Sequence, residues 1–325
     1  MHFPRMKRLA TYADPALWCG IFMLSVEAVS AMQVTGYTAA QNDRFASGFP
    51  TAPVNNTNAL FVGLANNWSS VGWDASNVIK GFGFLSPSHY LVARHFGGAT
   101  NVRVFDSFGI LRTGAQLTVK ETTYGTVFSG QTVGDISLGT LTSPLANISR
   151  YGVLDLNASS TANTPTNYSN LALLVCGRGI DGASSPRIAA TTVFGASASG
   201  NNQYFLTPRT GVQLELNDSG SPAFANWTNP NGAAELAILG NNAAVDATYN
   251  IHNFIGTHES ITALNNFMTD DGRALRVVGN YSNTWVGSSS TLISNRRAWT
   301  PASAPIDTFV LLACLKKTVG ETGFR

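Results

Sequence analysis

Length, composition and charge narrow the class of protein before any motif is considered. The chain has 325 residues, of which 44% are hydrophobic and only 12% charged, so it is too apolar to be disordered and long enough for one large or two small domains. The formal net charge is +2, and Lys and Arg are scattered along the chain, which argues against nucleic-acid binding. Gly, Ser, Thr, Asn, Val and Phe are abundant and helix formers are few. This composition predicts an all-β protein of short strands and tight turns.

The first 31 residues have the pattern of an export signal. Three basic residues, Arg5, Lys7 and Arg8, precede an apolar run from Leu17 to Val26, and the small residues at 29–31 predict cleavage after Ala31. The alternative is a membrane anchor, but a run of about ten residues is half of what spans a bilayer. We therefore expect a protein that is secreted or held at the cell surface, in the extracellular space or the periplasm, with no stable membrane span.

Cysteine usage predicts no disulfide in the exported chain. Cys19 leaves with the signal, so only Cys176 and Cys314 remain. The first lies in a predicted strand and the second in the terminal tail, so we expect Cys176 to be buried and inert rather than paired.

After the signal, apolar runs recur between turn residues at the spacing typical of a sandwich or barrel. The stretch 157–170 is nearly all Asn, Ser, Thr, Ala and Pro, with Tyr168 as its only large side chain, and it predicts an interdomain linker between residues 32–156 and 171–272. The predicted strands are Ala59–Leu64, Val78–Leu85, Tyr90–Ala93, Gln116–Tyr124, Asp135–Leu141, Leu171–Cys176, Arg187–Phe194, Gln203–Thr207 and Glu235–Leu239.

One helix is predicted, near the end of the globular part. Ile261, Leu264 and Phe267 follow helical spacing from Ser260 to Met268. Ser260 is an acceptable cap and Asp271-Gly272 a stop. Residues 273–325 are then interpreted as an appendage.

A serine side chain becomes an effective nucleophile only when other groups activate it. A histidine must take its proton, a carboxylate must orient that histidine, and backbone N–H groups must stabilise the developing oxyanion. The segment Asn217–Pro222 places Ser219 in a turn that Gly220 permits, with the N–H groups of Asn217 and Ser219 as the expected oxyanion donors. The alternative is an ordinary Asp-Ser-Gly surface turn, which is common.

Two further segments supply the histidine and the carboxylate. Gly81–His95 has the pattern of a strand, a Pro-containing turn and a second strand, so His95 is expected at the rim of a barrel. His89, in the turn, is expected to be solvated. Asp135 opens an alternating strand, where most aspartates merely end a turn.

Together these segments resemble those of chymotrypsin-like serine proteases, which have His, Asp and Ser in this order. Gly81–His95 is similar to the family's GxGFLISP…VLTAAH segment, Asp135–Leu141 to DIALLKL, and Asn217–Pro222 to GDSGGP. The resemblance covers about residues 55–270. It implies two six-stranded antiparallel β-barrels followed by a C-terminal helix.

The resemblance also implies an activity and its residues. It implies a secreted bacterial serine endopeptidase that cleaves protein or peptide substrates and needs no cofactor or metal ion. Its catalytic triad consists of His95, Asp135 and Ser219. The residue six before the nucleophile is Gln213, at the bottom of the family's primary pocket, and the residues implied for the cleft-lining strand are Ala237, Ile238 and Leu239.

Departures from the family pattern also carry information. Asn217 stands where the family usually has Gly, in a turn that can need a positive φ. No activation sequence of the Ile-Val-Gly-Gly type precedes the first barrel, so pairing of Asp218 with a newly cut N-terminus is not expected. The tail from Trp285 to Val310 resembles the start of the strand repeats in autotransporter-associated surface proteins, which implies cell-surface attachment.

Two rival hypotheses remain at this point. One is a catalytically silent trypsin-like module that binds partners at the bacterial cell surface. The other is an elongated β-solenoid adhesin in which the three segments are coincidences.

Overall fold

The computed structural model describes residues 32–121, 126–128, 131–133, 135–156, 166–178, 184–198, 203–228, 232–279, 284–285 and 299–300. The predicted signal, residues 157–165 of the predicted linker and most of the tail lie outside the described residues. Strands dominate the described part, so the all-β prediction is confirmed. No helix in this part of the chain is long and apolar enough to cross a bilayer.

The first described segment packs on both halves of the chain. β1 pairs antiparallel with Val212–Gln213, and the N–H of Phe45 donates to Ser185 Oγ at 2.8 Å. The same segment also contacts the first barrel, because Arg44 Nη1 donates to the carbonyl of Val71 at 2.6 Å and the Phe45 ring packs on Trp73. The segment contains β1 (Gln33–Val34), α1 (Ala39–Asn42), β2 (Phe45–Ser47) and β3 (Val54–Asn55).

Six strands form a closed antiparallel barrel, in the order β11-β6-β5-β4-β7-β8. A short hairpin, β9–β10, lies between β8 and β11 along the chain. The strands are β4 (Val71–Asp74), β5 (Gly81–Ser86), β6 (His89–Ala93), β7 (Asn101–Phe105), β8 (Leu111–Glu121), β9 (Thr126–Phe128), β10 (Gln131–Val133) and β11 (Ile136–Leu141).

Aromatic side chains fill this barrel. The ring centroids of Phe82 and Tyr90 lie 4.7 Å apart, and both residues are fully buried, as is Phe84. A Cβ at Gly139 would come within 2.1 Å of the Tyr90 ring, so the absence of a side chain there makes room for the tyrosine. Burial of each of these three rings stabilises the barrel by about 2 kcal/mol.

The second half is a nine-stranded, curled sheet. Its main order is β14-β13-β18-β19-β20-β16-β15, and β12 adds parallel pairings with β19 and β21. A second closed barrel was predicted, whereas the described residues form this open sheet. Its strands, with the short β17, are β12 (Gly152–Asp155), β13 (Ala172–Gly177), β14 (Arg187–Thr192), β15 (Gly195–Ser197), β16 (Tyr204–Pro208), β17 (Val212–Gln213), β18 (Pro222–Thr228), β19 (Ala234–Val245), β20 (Tyr249–Phe254) and β21 (Val277–Gly279).

The predicted helix is present and longer than expected. α2 spans His258–Asp270, and Thr257 caps it by accepting the Ser260 N–H at 3.1 Å. Its buried side chains, among them Ile261 and Leu264, join the largest apolar core.

One further strand of the sheet lies beyond residue 272. β21 pairs in parallel with β12, and Leu275, Val277 and Val278 are buried. Within the predicted appendage the structure further describes one short antiparallel pair, β22 (Thr284–Trp285) with β23 (Trp299–Thr300).

One local prediction is wrong. The apolar run Ala59–Leu64 forms turns, and Leu60, Val62 and Leu64 are exposed. Tyr168, placed in the linker, is fully buried, and its hydroxyl accepts the N–H of Leu156 at 2.6 Å. An aromatic ring with a satisfied hydroxyl can therefore anchor an otherwise polar segment in the core.

Candidate active site

His95 lies where β6 leaves the barrel. The chain enters a 3-10 turn over Arg94–Phe96, and Gly97 ends the turn with φ of 65°, a conformation that favours glycine. Lys80 Nζ holds the following loop by donating to the carbonyls of Phe96 and Gly98, at 2.7 and 3.0 Å. The His95 side chain is 47% exposed, so a substrate can reach it.

Asp135 contacts His95 at two points. Its Oδ1 accepts the backbone N–H of His95 at 2.8 Å, and its Oδ2 is hydrogen-bonded to His95 Nδ1. An ionised carboxylate only accepts hydrogen bonds, so Nδ1 carries the proton. The tautomer that results leaves Nε2 as the free acceptor, which is the nitrogen that a general base needs.

Ser219 follows a 3-10 turn formed by Leu216–Asp218. Its Oγ lies 3.4 Å from the carbonyl oxygen of Ala243. Gly220 has φ of 81°, and a Cβ there would lie 3.0 Å from the Gly81 oxygen and 3.1 Å from the Ala93 nitrogen. Only glycine therefore fits, and its contact with Ala93 brings the serine turn against the strand end that leads into His95.

Neither the family models nor the curated proteins compared with this chain match it.

Asp218, directly before Ser219, is fully buried. Its Oδ1 accepts the N–H of Arg178 at 2.7 Å and its Oδ2 the N–H of Glu215 at 2.8 Å. Burial raises the pKa of this carboxyl to about 7, against the lowering effect of the two hydrogen bonds. The two bonds fix the turn to the end of β13 and to the segment that follows β17.

The backbone of Asn217 adopts the helical turn, and it is not among the described residues with positive φ. Asn217 therefore does not have the positive φ that this turn can need in the family. The side chain of Asn217 is partly buried, and its N–H belongs to the same turn that presents Ser219.

A cavity of about 90 Å³ opens beside Ser219. Ala237, Ile238 and Leu239, which the resemblance assigns to the cleft-lining strand, are fully buried in β19 and do not line this cavity. The wall comes from a later part of the same strand. The lining residues are Leu214, Glu215, Asp218, Ser219, Asn242, Ala243, Ala244 and Val245.

Gln213 lies next to this cavity and forms a hydrogen bond with Glu215, one of the residues that line it. Its Nε2 donates to Glu215 Oε1 at 2.9 Å, and Gln33 Nε2 donates to the same oxygen at 3.1 Å. Through this carboxylate, the first described strand supports the cavity beside Ser219.

A buried polar network that the sequence analysis missed lies behind the cavity wall. Asn242 donates through Nδ2 to the carbonyls of Cys176 and Asp218, so its Oδ1 accepts from His252 Nδ1 at 3.0 Å. His252 Nε2 then accepts the hydroxyl proton of Thr207 at 3.0 Å. Burial lowers the pKa of His252 to about 3, which keeps the ring neutral. The available signal was the presence of polar residues inside otherwise apolar strands, namely Asn241, Asn242, Asn250, His252 and Asn253.

A second serine–histidine–aspartate arrangement has no access to substrate. His89 was expected in solvent, yet it is fully buried between Ser86 Oγ, 2.7 Å from Nδ1, and Asp271 Oδ2, 2.9 Å from Nε2. The Ser86 oxygen also accepts the N–H groups of Ser88 and His89. This arrangement ties the first barrel to the end of α2.

Cys176 is buried and free, as predicted, and burial raises its pKa to about 12. Cys314 lies outside the described residues. Within the described ranges, no three His, Cys, Asp or Glu side chains stand close enough together to hold a metal ion.

Proposed function

We propose that this chain is a secreted serine endopeptidase of the chymotrypsin-like type. The observation that supports it best is the double contact of Asp135 with His95, together with the packing of Gly220, next to Ser219, on the strand that ends at His95. The closed first barrel agrees with that fold, and in the proposal the curled nine-stranded sheet corresponds to its second barrel.

In the proposed mechanism His95 Nε2 accepts the proton of Ser219 as Oγ attacks the carbonyl carbon of a peptide bond. The tetrahedral intermediate carries its negative charge on the former carbonyl oxygen, which the N–H groups of Asn217 and Ser219 stabilise. His95 returns the proton to the leaving amine, and an acyl-enzyme remains on Ser219. Water, activated by the same histidine, hydrolyses this ester. Asp135 orients the imidazole and stabilises its protonated form.

The proposal is tested with a fluorophosphonate probe, which reacts with activated serines. We expect the exported protein to be labelled at Ser219, with loss of labelling in Ser219→Ala and at least a 100-fold slower reaction in His95→Ala. Ser221→Ala is a matched control, because this serine lies two residues away in the same turn, and its variant should label normally. A folded wild-type protein that neither labels nor cleaves a casein or peptide library would instead support the silent binding module.

Export is part of the proposal, and it rests on the basic and apolar pattern of residues 1–31. The mature protein recovered outside the cytoplasm should begin at Met32. Mass spectrometry of the intact secreted chain checks this, and a chain that retains residues 1–31 would contradict it.

A further inference from the structure

The side chain of Asn253, on β20, holds the backbone of Asp135 at both of its polar groups. The N–H of Asp135 donates to Asn253 Oδ1 at 3.0 Å, and Asn253 Nδ2 donates to the carbonyl oxygen of Asp135 at 3.1 Å. The two residues are 118 positions apart in the chain and belong to different halves of the fold. One amide of the second sheet therefore forms a two-point clamp on the aspartate of the first barrel.

A further hydrogen bond, to Asn241, holds the Asn253 side chain in place. Asn253 Nδ2 also donates to Asn241 Oδ1 at 2.9 Å, and these residues are directly paired on β19 and β20. Both asparagines are fully buried. A buried amide with its donor and acceptor both engaged has one preferred orientation, because rotation of the group would leave polar atoms unpaired at a cost of about 1–3 kcal/mol each.

Asparagine is a residue type that can make both hydrogen bonds to the backbone of Asp135. A primary amide offers one acceptor and one donor group at the spacing of a peptide N–H and C=O, so it can bind both polar groups of the same residue. Aspartate lacks the donor, leucine lacks both, and alanine reaches neither.

The position of the clamp affects the candidate active site directly. The carbonyl of Asp135 also accepts the N–H of Arg94 at 3.1 Å, while its carboxylate binds both the backbone and the ring of His95. Displacement of this backbone would move the carboxylate away from the imidazole. Misplacement of a catalytic group by about 1 Å can cost about 100-fold in rate.

We propose that Asn253 is a positioning residue, which sets the place of Asp135 from the opposite half of the molecule and thereby the orientation of His95. This proposal rests on the proposed function for its kinetic readout. The contact between His95 and Asp135 supplies a second readout, which does not depend on the proposed function.

The first arm of the test is kinetic. Asn253→Ala should lower kcat by about 10- to 100-fold while KM changes less than about threefold, because the clamp acts on the chemical step and not on the substrate pocket. Asn56→Ala is the matched control, since Asn56 is also a buried asparagine whose amide bonds backbone carbonyls, those of Ala39, Ala40 and Asp43, in the N-terminal segment. The Asn56→Ala variant should lose a free energy of unfolding similar to that lost by Asn253→Ala, and it should keep the wild-type kcat. An unchanged kcat in folded Asn253→Ala would overturn the proposal.

The second arm does not need turnover. In the Ser219→Ala background, the proton on His95 Nδ1 should give a low-field ¹H NMR resonance, which Asn253→Ala should broaden or shift upfield and Asn56→Ala should leave in place. Loss of the resonance in the Asn253 variant would support the clamp even if no peptide were hydrolysed, whereas an identical resonance would contradict it. If Asn253→Ala does not fold, Asn241→Ala, which removes only the anchor, must show the same changes at smaller amplitude, and their absence would contradict the clamp.

Discussion

At the scale of single residues, we expect His252 to contribute to the pH dependence of stability. Burial lowers its folded-state pKa to about 3, whereas the unfolded value is 6.5. The unfolded chain therefore binds more protons between these values, and the free energy of unfolding falls as the pH drops below 6.5, by up to about 1.4 kcal/mol for each unit. Asp218, with a raised pKa, acts in the opposite direction.

A variant at position 252 separates the effect of His252 on the pH dependence of stability from the effect of Asp218. His252→Gln should be less stable than the wild type at pH 7, because the bonds to Thr207 and Asn242 are disturbed, but its stability should fall less steeply between pH 6.5 and 4.5. Urea unfolding at several pH values measures both curves. Parallel curves would show that His252 does not account for this part of the acid sensitivity.

At the scale of elements, β21 should be required for a stable core. A fragment ending at residue 272 loses the buried side chains of Leu275, Val277 and Val278, each worth about 1.5–3 kcal/mol. We expect fragment 32–272 to melt at least 10 °C below fragment 32–279, or not to fold, in thermal unfolding followed by circular dichroism. Equal melting temperatures would mean that β21 is dispensable.

The elements also show what the sequence could and could not predict. Hydrophobic periodicity located four of the six barrel strands to within about five residues. The apolar run 59–64 was taken as a strand, while Val71–Asp74 and Asn101–Phe105, which do belong to the barrel, were missed. A short apolar run carries no information about which neighbours will pair with it. The residues that line the cavity beside Ser219 could not be predicted from the sequence, because they depend on a register shift after Asn242 in β19.

At the scale of the whole molecule, the two halves come so close together at Gly81 that no side chain fits there. A Cβ at Gly81, on β5, would lie 2.4 Å from Ser221 Oγ. Gly81→Val should therefore separate the barrel from the serine turn and lower kcat/KM by about tenfold or more, with a smaller effect on melting temperature. Gly195→Val is the control, since nothing lies within 4 Å of its Cβ position. Equal activity losses in the two variants would show that the contact between the halves is unimportant.

The proposed triad was predicted as three separate local patterns, and the structure brings two of its members, His95 and Asp135, into contact. His95 follows β6 and Asp135 precedes β11, and the contact forms because these two strands are paired in the barrel. The support from Asn253 could not be predicted, because it depends on how the second sheet docks against the first.

The pairing of the first described strand with β17 has a consequence for how the chain acquires its structure. Gln33 and Val34 find their partners only at Gln213 and Val212, after most of the chain has been synthesised. Contacts of such long sequence separation make folding slow, because the entropy of closing a large loop is lost before the pairing stabilises it. The pairing of β1 with β17, and with it the hydrogen bond from Gln33 to Glu215 in the cavity wall, should therefore be among the last contacts to form.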